Sequence, residues 1–396
     1  MSIKRMLTLL TILCCLVLLI IILSSFAIHD QVQLNLQNPA SNMLNTLSSN
    51  DSDLQKLLDL KEFTYIINTH CKYSFQNYKT IKSFDHRFKF VWLITSYAGD
   101  NTKRNALRAA YNAKQLTQLG IRRIFLLGSL NKSAQKKTGI TQAIIKKEAD
   151  KFQDVIQGNF IEAYKNLTYK HLMGLQWAID KCSNTYSYIM KMDDDIVINL
   201  YEAMELLKNK SSINDGKDFL MGYVLDHMTP IRDKESKWYV SKDEYSSETY
   251  PYFLSGWLYW ISMETAYKIL HQSRLHSKYF WIDDLFITGI LRNKADIHNI
   301  VNVNELFTTD YRYLICCLKN DDSSTKYKCD YLVGPDGGEP YLLMTFQKYS
   351  EDCYYRYNCK TRPIEQSLNN KCILDAGNTN LDIGSAHIEE IPIDAI

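Results

Sequence analysis

The chain has 396 residues, 46% hydrophobic and 23% charged, which allows one large domain or two ordinary ones and excludes wholesale disorder. Its 46 Lys and Arg nearly balance its 44 Asp and Glu, so no net field draws in nucleic acid or another polyanion. Any ligand must be recognised locally.

In chain order, the uncharged apolar run 6–28 is long enough to cross a bilayer as a helix. Lys4 and Arg5 precede it, and apart from His29 no basic residue follows before Lys56. By the positive-inside rule residues 1–5 stay cytosolic and the remainder enters the lumen of the secretory pathway. A cleaved signal peptide is the alternative, since Ser25-Phe26-Ala27 resembles a cleavage site, but the length of the run favours an uncleaved anchor. Residues 29–87 read as a stem, rich in Asn, Gln, Ser and Leu as far as about residue 60, with order expected from Phe88.

From Phe88 onward strands and helices alternate. The continuous apolar run FVWLIT, Phe90 to Thr95, fits a strand buried on both faces. A helix is expected over 101–119, stopped by Gly120, then a strand over 122–127 closed by Gly128. A helix over 133–151, a short strand at 154–156 and a helix over 162–181 follow. The strand 186–192 runs directly into Asp193-Asp194-Asp195. This alternation predicts a mainly parallel α/β sheet, whose ligands sit beyond the carboxyl ends of the strands, where the acidic triplet falls.

Three adjacent carboxylates repel one another unless a cation relieves them, and at a strand end they form a hard oxygen site suited to Mg²⁺ or Mn²⁺ carrying a diphosphate. The bland alternative is a solvated loop or a helix N-cap. A second pair, Asp283-Asp284, lies among Phe280, Trp281, Ile282, Leu285 and Phe286. Partial desolvation there lifts a carboxyl toward general-base values, although an N-cap for a helix over 285–292 is again the plain alternative. Between the two sites lies the aromatic, turn-like stretch 250–256. It and Trp238, Trp257, Trp260 and Trp281 suit either sugar stacking or core.

Eight cysteines follow the apolar run: Cys71, Cys182, Cys316, Cys317, Cys329, Cys353, Cys359 and Cys372. An even number in an oxidising lumen suggests disulfides whose pairing the sequence leaves open, and the concentration after residue 315 suggests a stapled tail. No Cys-x-x-Cys pair supports a zinc site. Sequons at Asn50, Asn131, Asn166 and Asn209 suit lumenal N-glycosylation.

The ordered motifs resemble the β-1,3-galactosyltransferase-type glycosyltransferases. The stretch 103–111, Ile124 to Gly128, Glu148, the stretches 154–160 and 164–170, Trp177, Cys182, 191–195 with Asn199, 237–241, Tyr250-Pro251 with Ser255-Gly256, and Asp283-Asp284-Leu285 carry the likeness, which covers about residues 88–292. The resemblance implies a GT-A catalytic fold with type II Golgi membrane topology and metal-dependent, inverting β-1,3 transfer from a UDP-sugar to a glycan acceptor. UDP-galactose is the expected donor, with UDP-N-acetylglucosamine or a non-catalytic sugar-binding role as alternatives. It also implies Asp195 as ligand to Mn²⁺ or Mg²⁺, Asp193 and Asp194 at the donor ribose or ordering the loop, Asp284 as base supported by Asp283, and Arg104 and Arg108 near the nucleotide. Without the resemblance those two arginines would be ordinary helix-surface charges. The family's late-strand His is missing from 341–347, Tyr111 replaces a Trp, and Trp257-Leu258 follows Ser255-Gly256 where the family usually has Gly two residues on. The expected division is tail 1–5, anchor 6–28, stem 29–87, catalytic domain 88–315, and a Cys-rich extension, 316–396, packed on it.

Overall fold

The computed structural model describes residues 57–60, 62–72, 88–211, 218–275, 278–319, 325–339 and 341–372. The apolar run 6–28 and the sequon at Asn50 lie outside them. No helix among the described residues is long and apolar enough to cross a membrane.

The core is an eight-stranded sheet. Its strands are β1 (Tyr65–Ile67), β2 (Phe90–Thr95), β3 (Ile121–Ser129), β4 (Val155–Ile161), β5 (Tyr188–Asp193), β7 (Leu220–Leu225), β8 (Phe253–Ser262) and β9 (Val301–Asn302), in the order β1-β4-β3-β2-β5-β8-β7-β9. The four central strands β4, β3, β2 and β5 are parallel, whereas β1, β8 and β7 join antiparallel. The sheet is therefore mixed around a parallel centre. Phe90, Trp92, Ile94, Phe125, Leu127, Met190 and Met192 fill one face of that centre, all fully buried.

Two expected helices are each broken by local chemistry. The first becomes α1 (Asn101–Ala110) and α2 (Ala113–Gln118), because Asn112 caps the second piece by accepting from the Gln115 N–H at 2.9 Å. The second becomes α3 (Lys132–Thr138) and α4 (Gln142–Phe152), separated at Gly139, whose φ of +72° favours glycine. Helix α5 (Leu167–Cys182) follows, with its apolar side on β2, β3 and β4. Helices α6 (Leu200–Ser211) and α7 (Met263–Leu275) complete the central part. The segment after Asp284 is a π-helix, Leu285–Leu291, rather than a regular α-helix.

Ordered structure starts earlier than Phe88, the expected end of the stem. Strand β1 pairs with β4, and Cys71 is disulfide-bonded to Cys182 at the end of α5. The late segment is likewise part of the body. Helix α8 (Arg312–Lys319) is linked by Cys316–Cys372 to the chain after the short helix α9 (Leu368–Lys371), and Cys353–Cys359 closes a small loop. Four of the six late cysteines are bridged, while Cys317 and Cys329 keep free thiols. Strand β10 (Val333–Pro335) pairs antiparallel with β6 (Ile196–Ile198), immediately after the acidic triplet, and α10 (Leu342–Asp352) packs on α1 and β6. The stretch 341–347, matched above to a late strand, is thus helical.

Candidate active site

Register brings the site together. Thr95 lies opposite Asp193 in the parallel β2–β5 pair, and the Asp194 N–H donates to the Thr95 carbonyl at 3.2 Å. The antiparallel β5–β8 pair places Leu258 opposite Met192, so Gly256 runs alongside the end of β5 where the triplet begins. Two acidic clusters far apart in sequence therefore become neighbours.

Lys191 joins them. Its buried ammonium donates to Asp193 Oδ1 at 2.6 Å and to the Gly256 carbonyl at 2.6 Å. The Gly256 N–H in turn donates to Asp284 Oδ2 at 3.0 Å, and the Leu285 N–H donates to Asp284 Oδ1 at 2.8 Å. A Cβ on Gly256 would stand 3.4 Å from both Asp284 Oδ2 and Lys191 Nζ, so a side chain there would press on both clusters. Asp284 does cap the π-helix, as the plain alternative expects, and it also faces the acidic site. Burial, then the neighbouring charge of Asp283, push its carboxyl up to about 6. Burial alone would lift Asp283 as well, but the hydrogen bond from His171 and the charge of Lys191 outweigh it and hold Asp283 low.

In the triplet, burial raises Asp193 to about 7 and Asp194 to about 6, with the charge of Asp195 adding to both and Lys191 and Lys103 opposing. Asp194 Oδ2 is buried with no hydrogen-bond partner among the described residues. Lys103 Nζ stands 4.0 Å from Asp194 Oδ1, and its charge is favoured, against burial, by Asp194, Asp195 and Asp336. Asp336 follows β10, and its N–H donates to the Asp195 carbonyl at 2.8 Å. The late segment thus forms one edge of the acidic site.

Among the described residues no group of three or more His, Cys, Asp or Glu side chains is arranged to hold a metal ion. Mg²⁺ and Mn²⁺ need less than that, because one or two carboxylates suffice when substrate phosphates and waters complete the shell. Crowded hard-oxygen donors, two with elevated proton affinity and one with an orphaned buried oxygen, fit such a cation. His298, at best a distant substitute for the family's missing His, is exposed and paired with Asp296 at 2.7 Å.

The two arginines are built into the frame beside the triplet. Arg104 is fully buried, paired through Nε and Nη2 with Glu148 at 2.8 Å each, and its Nη1 donates to the Tyr97 carbonyl at 2.6 Å. Arg108 pairs with Asp154 at 2.7 Å and Glu148 at 2.8 Å, and Arg123 joins it on Asp154 at 3.0 Å. Neither is a solvated helix charge. Arg104 pins the loop after β2 through the Tyr97 and Ala98 carbonyls, Arg108 ties its helix to Asp154 and Glu148, and Lys103 is the cation of that helix nearest the triplet.

On the other side, Trp238 Nε1 donates to the Tyr164 hydroxyl at 2.9 Å, and the Tyr164 and Trp281 rings lie 6.1 Å apart. Burial raises the Tyr164 phenol; the bond from Trp238 lowers it, and the charges of Asp283, Asp284 and Asp193, within electrostatic reach of its hydroxyl, raise it. Trp260 and Trp281 are core, whereas Trp238 is half-buried. Of the sequons, Asn131 and Asn209 are exposed, while the Asn166 amide donates to the Ile161 carbonyl at 2.9 Å.

A strand-end carboxylate cluster joined through one buried lysine to a second, base-like carboxylate is the site of a group-transfer enzyme, and comparison with known proteins places that enzyme among the glycosyltransferases. Residues 102–303 match the galactosyltransferase family model, and the chain belongs to that family. It is 30% identical over 258 residues to beta-1,3-galactosyltransferase 1 of Homo sapiens and of Mus musculus, covering 61% of this chain and 76% of theirs. It is 33% identical over 228 residues to beta-1,3-galactosyltransferase 2 of Mus musculus, covering 56% of this chain and 51% of that one. A structural match, 4-diphosphocytidyl-2C-methyl-D-erythritol synthase from Anaerococcus prevotii DSM 20548, has a TM-score of 0.27 at 13% identity, over 55% of this chain and 86% of that one. The protein is accordingly a hexosyltransferase.

Proposed function

We propose that this GT-A-type enzyme transfers galactose from UDP-galactose to the 3-hydroxyl of an acceptor sugar, with inversion at the anomeric carbon. The observation that carries the reading is the Lys191–Gly256 bridge, which sets a diphosphate-type acidic site and a base-like carboxylate side by side. Asp284 takes the proton of the acceptor hydroxyl, the oxygen bonds to the anomeric carbon, and the bond from that carbon to UDP breaks on the opposite face. A general base of this kind adds about 10²–10⁴-fold. Asp195 would hold Mn²⁺ or Mg²⁺, which would supply Lewis-acid neutralisation of the diphosphate, with Asp193 beside it at the donor. Asp194, ordered by Lys103 and the loop after β2, shapes the donor edge of the site. Trp238 and Tyr164 offer the acceptor an aromatic wall.

The test is transfer by purified residues 30–396, supplied with Mn²⁺ and a panel of UDP-sugars and 3-hydroxyl acceptors. The expected result is transfer from UDP-galactose forming a β-1,3 linkage. Transfer only from UDP-N-acetylglucosamine would replace the donor, and sugar binding without transfer from any donor would overturn the enzyme reading.

We also propose that residues 6–28 anchor the protein in the Golgi membrane with its body in the lumen. Protease added to sealed vesicles should then spare the body until detergent is present, and digestion without detergent would reverse the orientation.

A further inference from the structure

His171 is not among the residues the sequence singles out, yet it is the most constrained titratable group near Asp284. It lies on α5 between Lys170 and Leu172 and is fully buried. Its two ring nitrogens have one partner each. Nδ1 meets Asp283 Oδ2 at 2.9 Å, and Nε2 meets the hydroxyl of Tyr259, a fully buried residue of β8. A chain of three side chains thus runs from the sheet, through the helix, to the carboxylate next to the base.

The direction of the protons follows from chemistry. Tyr259 is held in its phenol form by burial and by the charges of Asp283, Asp284 and Asp193. Ionised Asp283 can only accept, so a neutral ring carries its proton on Nδ1 and leaves Nε2 bare to accept from the Tyr259 hydroxyl. Nδ1–H then donates to Asp283. Burial and the nearby Lys191 charge disfavour the imidazolium, and Asp283 pulls the other way. The groups facing the ring are Asp283, Tyr259 and, at longer range, Lys191.

We propose that His171 is a positioning residue which remains a neutral imidazole, fixes the negative charge on Asp283 and so leaves Asp284 as the carboxylate that exchanges a proton with substrate. Two adjacent carboxylates then have different tasks because their environments differ, a pattern known from other paired-carboxylate sites. Without the Nδ1–H bond Asp283 would compete for the shared proton, and its charge would no longer oppose ionisation of Asp284. The inference rests on the reading of Asp284 as base, but its first test does not.

That first test is nitrogen-15 NMR of histidine-labelled protein, with the His171 signals assigned by their disappearance in His171→Gln. A neutral ring protonated on Nδ1 is expected from about pH 5.5 to pH 8, spanning the ordinary histidine range. An imidazolium, or a ring protonated on Nε2, would overturn the proposal. The second test is the pH profile of kcat/KM. In His171→Asn the amide nitrogen occupies roughly the place of Nδ1 and keeps the bond to Asp283, whereas the longer His171→Gln reaches the Nε2 position and loses it. The acid limb should stay in place in the Asn variant and move to lower pH by about one pH unit in the Gln variant, the scale of a neighbouring charge. Lower kcat in both variants with an unmoved limb would reduce His171 to a space-filling role and overturn the proposal. Absence of transfer by the wild-type enzyme would count against the proposed function and leave the NMR result standing by itself. If His171→Gln fails to fold, the His171 signals are assigned in His171→Asn, or by sequential backbone assignment of the wild-type protein if neither variant folds, and the spectrum still decides.

Discussion

Asp195→Ala is expected to lose UDP binding and turnover together. The residue sits where β5 ends and β6 begins, and its carbonyl is held by the Asp336 N–H. Lewis-acid stabilisation of a leaving diphosphate is worth several kcal/mol, each 1.4 kcal/mol being about tenfold in rate, so a fall of about 10³-fold or more is the expected scale. Calorimetric titration with UDP, with and without Mn²⁺, checks the binding half of the claim. Metal-dependent UDP binding surviving in Asp195→Ala would remove Asp195 from the cation site.

Asp284→Asn is expected to separate binding from chemistry. UDP should bind in the presence of Mn²⁺ much as it does to the wild type, while turnover falls by about 10²-fold or more. The substitution is less innocent than its shape suggests, because both Asp284 oxygens accept backbone N–H groups, from Leu285 and from Gly256. An amide nitrogen must face one of those donors, leaving it unsatisfied at a cost of about 1–3 kcal/mol, so a lower melting temperature should accompany the kinetic defect. The pH profile distinguishes the two. Asp284 must be ionised to accept a proton, and burial and Asp283 push it up to about 6, so wild-type kcat/KM should decline as pH falls through that value. The limb should vanish in the Asn variant. Near-normal turnover would defeat the base assignment, and equal loss of UDP binding in both variants would move Asp284 into the donor site.

Much of this architecture is legible in the residues. FVWLIT fits a strand buried on both faces, and the expected strand 186–192 puts Asp193 to Asp195 at a strand end. Local patterns fail where a contact is distant. The hydrophobic spacing of α1 and α2 is continuous, and only the cap at Asn112 divides them. Arg104 and Arg108 look like surface charges at helical spacing because Glu148 and Asp154, which bury them, lie more than forty residues away. Lys191 stands in the same motif as the triplet, but its bond to Gly256 depends on the antiparallel addition of β8, which alternation of strands and helices does not announce. His171 is hidden in a helix whose apolar face reads as ordinary core. Its signal is that a titratable ring on such a face needs partners, and the only way to name them is through the fold.

The early entry of the chain into the sheet bears on how a soluble fragment of this enzyme should be cut. Beginning at Phe88, where strong periodicity starts, would delete β1 together with Cys71. Cys182 would be left as an unpaired thiol, and the flank of β4 at Gln157 and Gly158 would present its N–H and C=O groups to any passing strand. Such an open border is a template for intermolecular pairing, and sheets protect themselves against it by keeping their margins short, covered or charged. The few residues of Tyr65–Ile67 thus act as a cover for the parallel centre, and a fragment retaining residues 57–72 keeps the cover and the covalent clasp that holds it.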